Sequence, residues 1–301
     1  MSDELIAIAQ TVRVDAMTAE VVGALRGRGL DPVLLKGPVI GRRLYPGELR
    51  PYVDADLLVA PDAFAEAGAA LAGLGFERVE RPWEREERVE HDEPWRRPDG
   101  AGAVDLHRTL PGVRGVAPAE AWPALAAHLE SSTLPDDGGE VTVLDDAGLA
   151  LLLCLHLAHH QRDGADVTRP VADLTRGVTT LPRPAWEAAR GLAVRLRAEA
   201  QMARGLHAVP GGAALAAALF LPPPSEGHEG PRGLERLIAA RGPRARAGVV
   251  LRALGPTPAY LRWRSPLARR GRTGLVLTYV ARPAALAATA IRDGRRRLLR
   301  R

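Results

Sequence analysis

The segment RPYVDADLLV, residues 50–59, places two acidic residues two positions apart within an apolar run. Successive side chains of a β-strand point to opposite faces, so Asp54 and Asp56 are predicted to share one face of a strand. Adjacent carboxylates repel unless a cation lies between them, and Mg²⁺ binds such oxygens together with substrate phosphates. The pair therefore predicts a metal site. The alternative, a solvated face without a ligand, is disfavoured because the flanking apolar residues would bury the strand.

An apolar strand that ends in Lys-Gly lies upstream, in PVLLKGP, residues 32–38. A glycine at a strand-to-helix turn leaves backbone N–H groups free to face an anion, and Lys36 adds a charge suited to phosphate. Arg43 and Arg50 are near enough in sequence to reach a triphosphate, which arginine can bind through two hydrogen bonds. The predicted nucleotide-binding residues are Lys36, Gly37, Arg43 and Arg50. The alternative for Lys36 is a solvated lysine at a strand end.

A third acid, Asp105, lies on a later predicted strand in GAVDLH, residues 102–107. It is predicted to hold a metal or to act as the base that activates an acceptor hydroxyl, and the alternative is a residue that caps a turn. A phosphate-binding turn, a D-x-D strand and a third acid on another strand are the parts of a two-metal phosphoryl-transfer site. The predicted catalytic and metal-binding residues are Asp54, Asp56 and Asp105.

Five short motifs follow one another along the chain: LLKG at 34–37, LYP at 44–46, LRP at 49–51, DADLLV at 54–59 and DLH at 105–107. Together they resemble the bacterial nucleotidyltransferase-like proteins of the DNA polymerase beta superfold. More narrowly, they are similar to a poorly characterised group that carries L-K-G in place of the usual Gly-Ser. The similarity covers roughly residues 20–110 and continues more weakly at residues 155–160 and 256–261.

The resemblance implies a small mixed sheet with helices, Mg²⁺ or Mn²⁺ on the acids, and transfer of a nucleotidyl group from a nucleoside triphosphate. The missing Gly-Ser removes a hydroxyl donor. A non-catalytic module that binds nucleotide, RNA or peptide is therefore an alternative, as is a phosphotransferase with the same metal site. The acceptor stays open among small molecules, peptides, proteins and RNA. Similar proteins are often encoded beside genes for modified-peptide natural products, which makes peptide tailoring one option.

Strands precede helices along the chain, which predicts an α+β fold. We expect a catalytic domain over residues 1–112 and an all-α domain over residues 113–301. Strands are predicted at 33–35, 53–59, 76–80, 86–97 and 103–108, and a short apolar stretch at 141–144. The charged segment 85–93 is expected at a sheet edge, where charge blocks association between sheets. Helices are predicted at 3–28, 38–44, 61–74, 118–129, 147–161, 171–175, 184–206, 212–219, 232–240, 246–254 and 274–297.

The single cysteine, Cys154, lies in the apolar run LLLCL and is expected in the core. The sequence has no signal-peptide pattern and no apolar run long enough for a bilayer, so we expect a cytoplasmic protein. Its high content of Ala, Arg, Gly and Pro is typical of a bacterial genome rich in GC. The oligomeric state is not predicted.

The net charge of +5 and the pI of 10.0 favour anionic partners. Much of the positive charge lies beyond Arg241, and the chain ends in RRRLLRR, residues 295–301. One interpretation of this end is a solvated helix, and the others are a surface for nucleic acid or for an acidic peptide.

Three histidines, His156, His159 and His160, lie near the end of one predicted helix. His156 and His160 are four positions apart, a spacing that zinc-binding helices use, but no glutamate lies between them as in H-E-x-x-H. We therefore favour a polar helix end that faces the cleft and contacts nucleotide or acceptor.

Overall fold

The computed structural model describes residues 3–80, 91–100, 102–113, 116–135, 138–223 and 242–298. The chain forms two compact units. Unit 1 comprises Met1–Val79 and Glu90–Pro224, and unit 2 comprises Glu80–Val89 and Ser225–Arg301.

Unit 1 combines short strands with helices. Its described strands are β1 (Val33–Leu34), β2 (Ala55–Leu58), β3 (Glu77–Arg78), β4 (Asp92–Arg96), β5 (Ala103–His107), β6 (Leu129–Thr133) and β7 (Glu140–Leu144). Its described helices are α1 (Asp3–Arg26), α2 (Pro38–Leu44), α3 (Phe64–Gly73), α4 (Pro118–Ala126), α5 (Asp146–Asp163), α6 (Thr168–Thr180), α7 (Arg183–Arg195), α8 (Glu199–His207) and α9 (Gly212–Ala218). The predicted α+β fold, a small mixed sheet followed by helices, is confirmed.

The strands of unit 1 form one mixed sheet in the order β3-β4-β5-β2-β1-β7-β6. β2 pairs parallel with β5 and β1 pairs parallel with β7, while the other neighbours are antiparallel. Side-chain alternation divides the central strands between two hydrophobic cores. Leu34 and Leu57 belong to the core with α1 and α3, whereas Val33 and Leu58 belong to the core with α5. Residues that share a face with Leu58 therefore point toward the α5 side.

Helix α5 is the centre of the helical part of unit 1. Its first turn is capped by Asp145, whose carboxylate accepts a hydrogen bond from the Gly148 amide at 2.7 Å. Helices α6, α7 and α8 pack around it. A side chain at Gly205 of α8 would overlap the Cys154 carbonyl, so glycine permits the close approach of the two helices. Cys154 is buried, as predicted.

The sheet continues past residue 112. Strand β7 pairs with β1, and β6 pairs with β7, although the sequence predicted only a short apolar stretch in this region. Strand β6 reads LESST and is mostly exposed, so it lacks the apolar alternation that identifies a strand. The division into domains at residue 112 stays a prediction, and the sheet crosses it.

Two predicted elements were placed wrongly. The charged strand is not at an edge: β4 lies between β3 and β5, and the edges of the described sheet are β3 and β6. The helix predicted at 184–206 is two helices, because Arg197 between α7 and α8 has a left-handed conformation with φ 53°. Residues 81–90, which include most of the charged segment, and the helix predicted at 232–240 lie outside the described residues.

Unit 2 contributes three described helices: α10 (Pro243–Leu254), α11 (Pro258–Arg264) and α12 (Gly271–Leu298). The helices expected near 246–254 and 274–297 are confirmed, while α11 was not predicted. A small core of Tyr260, Leu261 and Ala268 packs against Leu275 and Tyr279. Within the described parts of the chain, no helix is both long enough and apolar enough to cross a membrane.

A buried ion pair joins the loop ahead of β2 to α6. The Arg50 Nε and Nη2 atoms donate to the Asp173 carboxylate at 2.8 and 2.6 Å, and the Tyr45 hydroxyl donates to it at 2.8 Å. Arg50 and Asp173 are both buried. Because neither charge reaches water, removal of one partner leaves the other uncompensated.

We expect Asp173→Ala to lower the free energy of unfolding by about 3–5 kcal/mol, because the Arg50 guanidinium then stays buried without a counter-ion. Urea denaturation measures the difference. The double variant Arg50→Met with Asp173→Leu removes both charges and should recover much of the loss. A single variant as stable as the wild type would show that this pair does not hold the loop.

Candidate active site

Parallel pairing of β2 with β5 brings the predicted acids together. Asp56 lies directly opposite Asp105 in the register, on the sheet face that Leu58 turns toward the α5 core. Asp54 immediately precedes β2, close enough for the charges of both other acids to act on it. Asp56 is buried, whereas Asp54 and Asp105 are half-buried. The structure therefore gathers all three predicted catalytic residues.

Lys36 neutralises the buried Asp56. The Leu35 amide donates to the Asp56 carbonyl at 3.0 Å, which joins the end of β1 to β2 and brings the next side chain alongside. Lys36 Nζ lies 2.8 Å from Asp56 Oδ1. Burial alone would lower the Lys36 pKa and raise the Asp56 pKa, but the opposite charges outweigh it. The pKa of Lys36 therefore lies above its ordinary value and the pKa of Asp56 lies below.

His107 binds the same carboxylate oxygen. Its Nε2 lies 3.1 Å from Asp56 Oδ1, and it shares a face of β5 with Asp105. Its other ring nitrogen, Nδ1, is buried and has no hydrogen-bond partner among the residues that the structure describes. The D-L-H motif thus contributes both a carboxylate and a ring that holds the neighbouring carboxylate in place.

Five of the eight histidines lie in one group beside these acids. His156 of α5 faces Lys36, with its Nε2 3.4 Å from Lys36 Nζ. Burial, and then the charge of Lys36, holds the pKa of His156 well below its ordinary value, so the ring is neutral and can accept from the amine. Ring centroids in the rest of the group are 4.4 Å apart for His156–His160, 4.9 Å for His91–His159 and 5.9 Å for His91–His107.

The carboxylates have the chemistry that a hard divalent cation requires. Burial, followed by the charges of Asp56 and Asp105, raises the pKa of Asp54 to about 6. A cation beside Asp54 would relieve that repulsion. As the side chains stand, no three metal-ligating residues within the described ranges are grouped to hold an ion. Asp56 is bound by Lys36 and His107, and Asp105 is paired with Arg96 at 3.1 Å.

The predicted nucleotide-binding residues separate into two sets. Gly37 follows Lys36 and begins α2 with φ 66°, a conformation that favours glycine. Arg43 instead donates to the Leu144 carbonyl at 2.9 Å and to Glu130. Arg50 uses two of its three nitrogens on Asp173. Lys36 and Gly37 therefore lie beside the acids, while both arginines bind other protein groups, and all four roles toward nucleotide stay predictions.

Sequence reasoning missed several contacts of this site. Lys36 is the only lysine of the chain, against 40 arginines, and this count could have indicated a specific role for its amine. A lone amine in an arginine-rich chain indicates a position that requires a compact charge. The alternation in D-L-H could also have placed His107 on the face of Asp105. Nothing in the local sequence around Asp173 indicates that it is buried opposite Arg50.

A family described as "Uncharacterised nucleotidyltransferase" matches residues 3–210, more than half of the chain. The chain belongs to this nucleotidyltransferase family. Its membership confirms the resemblance seen in the sequence motifs and supports a nucleotidyl-transfer function. No functionally curated protein matches the sequence.

Two solved structures are similar to this nucleotidyltransferase family member. One is the antibiotic-resistance factor ANT(2'')-Ia, with 18% identity and a TM-score of 0.44 over 62% of this chain and 94% of that one. The other is an antigenic nucleotidyltransferase-like protein from Paracoccidioides brasiliensis, with 16% identity and a TM-score of 0.37 over 62% and 93%.

We expect Asp54→Asn to raise the free energy of unfolding by about 1–2 kcal/mol near pH 7.5 without divalent cations, since the amide removes a charge that burial and two neighbouring carboxylates destabilise. The folded-state pKa of Asp54, about 6, lies above its value in the unfolded chain, roughly 3.9. The wild type therefore loses stability as the pH rises from about 4 to about 6. Urea denaturation in EDTA at about pH 4 should show little difference between the two proteins. A variant no more stable than the wild type at the higher pH would contradict this account of Asp54.

Proposed function

We propose that this protein is a metal-dependent nucleotidyltransferase, of the EC 2.7.7 type, that moves a nucleotidyl group from a nucleoside triphosphate to an acceptor. The observation that carries the proposal is the register that sets Asp56 opposite Asp105, with Asp54 just ahead of the same strand. Lys36, the single lysine, lies against this group of acids. Membership of a nucleotidyltransferase family supports the reaction class.

In this proposal Asp54 and Asp56 hold Mg²⁺ or Mn²⁺, and Asp105 shares in holding a second ion. Such ions supply positive charge at the triphosphate and at the leaving pyrophosphate. For Asp56 and Asp105 to act as metal ligands, the Lys36–Asp56 and Arg96–Asp105 ion pairs must break. Arg96 is 40% exposed and can turn to solvent, whereas Lys36 is held near the acids by its position at the end of β1.

The released Lys36 amine is placed to donate to phosphate oxygens, and the Gly37 turn offers backbone N–H groups beside it. An acceptor hydroxyl oxygen attacks the α-phosphorus, the bond from that phosphorus to the bridging oxygen breaks, and pyrophosphate leaves. The hydroxyl proton passes to Asp105, which is half-buried and therefore within reach of an acceptor. His107 keeps Asp56 oriented while Lys36 changes partner.

The wider setting of the reaction is also part of the proposal. We assign catalysis to residues 1–112 and acceptor binding to the helical remainder of the chain. The acceptor stays open among small molecules, peptides, proteins and RNA, with peptide tailoring in a bacterial pathway as one option. A cytoplasmic location fits a chain whose single cysteine, Cys154, is buried and unpaired.

One observation favours a second candidate, a non-catalytic nucleotide-binding module. Lys36 neutralises Asp56 and Arg96 neutralises Asp105, so two of the three acids are satisfied without a metal. Such a module would bind nucleotide equally with and without Mg²⁺ and would release no pyrophosphate. A phosphotransferase with the same site would release nucleoside diphosphate, so product analysis with candidate acceptors distinguishes all three functions.

We expect Asp54→Asn and Asp56→Asn each to weaken Mg²⁺-dependent triphosphate binding by at least about tenfold while the fold is retained, because each removes a metal ligand. Calorimetry with and without Mg²⁺ measures this binding. Asp62→Asn is the matched control: Asp62 is exposed just after β2, and its accepted hydrogen bond from the Ala63 amide at 3.0 Å survives in asparagine. Unchanged metal-dependent binding in both site variants would overturn the assignment.

We expect Lys36→Ala to weaken triphosphate binding more than nucleoside binding, because the amine faces phosphate rather than base or sugar. Lys36→Arg keeps the charge but replaces a compact ammonium by a planar guanidinium, so it should recover only part of the loss. Titration of ATP and adenosine against the three proteins gives the comparison. Equal losses for the two ligands would indicate that Lys36 acts only as the structural partner of Asp56.

A further inference from the structure

Positive charge is concentrated at one end of the chain. Residues 242–301 contain 15 arginines, no lysine and a single acidic residue, Asp293, which gives this segment a formal charge of +14. The whole chain carries +5, so residues 1–241 carry −9. An anionic surface therefore attracts the carboxyl-terminal segment and repels the rest of the chain.

One face of α12 is apolar and open to solvent. Val276, Leu277 and Val280 are 58%, 51% and 73% exposed. On a helix these three positions fall within an arc of about 100°. Ala284 and Ala287 continue the arc and are also exposed. The face is therefore a stripe of aliphatic side chains three turns long.

The other face of α12 is the one that packs within unit 2. Leu275 and Tyr279 contact the small core around Tyr260, and the Tyr279 hydroxyl donates to the Pro256 carbonyl at 2.6 Å. Within the described residues of unit 2, these packing contacts of α12 lie on positions outside the exposed stripe. Helix α10 adds a further exposed aliphatic side chain, Leu251, at 69%.

We propose that residues 242–298 form a docking surface for an anionic lipid membrane. A helix with exposed aliphatic residues on one side and many arginines in its surroundings matches the pattern of a helix that lies in the plane of a membrane interface. The aliphatic stripe enters the boundary of the acyl chains, and the arginines bind the phosphate groups of the lipids. This inference is independent of the proposed transferase reaction.

The positive charge of this segment alone would also fit nucleic acid as a partner. The exposed aliphatic stripe of α12 favours the membrane over nucleic acid. Proteins that bind single-stranded nucleic acid stack bases on exposed aromatic rings along a basic groove. The tyrosines of unit 2, Tyr260 and Tyr279, instead pack inward. The large apolar side chains that α12 exposes among the described residues are Val276, Leu277 and Val280, and aliphatic groups gain free energy from contact with acyl chains rather than with phosphates.

Co-sedimentation of the full chain with vesicles tests the proposal. We expect binding to phosphatidylcholine vesicles that contain about 30% phosphatidylglycerol to exceed binding to phosphatidylcholine alone by at least about tenfold, and to weaken as salt is added. The stripe variant Val276→Ser, Leu277→Ser, Val280→Ser should lose at least about fivefold of this binding. The control Ile6→Ser, Ile8→Ser, Val12→Ser alters three other exposed aliphatic residues, on α1, and should bind as the wild type does.

A charge variant makes the test independent of the stripe. Arg244→Gln, Arg270→Gln and Arg272→Gln change three exposed arginines and should also lower vesicle binding, with circular dichroism confirming that each variant is folded. Absence of binding to anionic vesicles would overturn the proposal. Vesicle binding that neither set of changes reduces would overturn it as well. Tighter binding to single-stranded RNA than to vesicles, unaffected by the stripe variant, would assign the surface to nucleic acid instead.

Discussion

The buried carboxylate of Asp56 is the constraint around which the sheet and the helices of unit 1 are arranged. A charge in this position is costly unless other groups neutralise it and donate hydrogen bonds to it. Lys36 at 2.8 Å and His107 at 3.1 Å do so, from two different strand ends. Both come into reach only because β2 lies between β1 and β5. The strand order therefore places both groups that stabilise the Asp56 carboxylate beside it.

The same constraint extends into the helical part. Lys36 in turn faces the neutral ring of His156 on α5, so a chain of polar contacts runs from the centre of the sheet to the central helix. A second buried charge, Arg50, ties the loop ahead of β2 to Asp173 of α6. Sheet and helices in unit 1 are thus joined by paired charges as well as by apolar packing, which is consistent with a family match that covers both.

The cationic side chains that neutralise Asp56 and Asp105 bind the same carboxylate oxygens that a metal ion would need in the proposed reaction. Burial, and then the charges of two neighbouring carboxylates, raise the pKa of Asp54, whereas Asp56 and Asp105 have cationic partners. A site of this kind can bind a metal only by exchange of one positive charge for another.

Charge is also divided along the chain, since the acidic residues lie almost entirely before residue 242 and the arginines are concentrated after it. The two parts of the chain therefore carry net charges of opposite sign.

The sequence by itself determined the features that depend on residues close together along the chain. The two-residue period of a strand predicted Asp54 and Asp56 on one side of a strand, but β2 begins at Ala55 and Asp54 lies in the bend just before it. Apolar runs were enough to locate the central strands, α5 and the buried Cys154. Ordered short motifs were enough to indicate the family. Errors arose where the local pattern was weak, as in the exposed strand β6, or where one residue such as Arg197 broke a helix.

Tertiary structure decided which distant groups meet. The pairing of Asp56 with Asp105, the contact of Lys36 with Asp56 and the burial of Arg50 against Asp173 each join residues that are 20 to 123 positions apart. Local periodicity carries no information about such pairs, because it reports only which face of an element is apolar. Their positions follow from the strand order and helix packing that bury the apolar faces of the whole unit together, and a buried charge then binds whatever partner that packing places beside it.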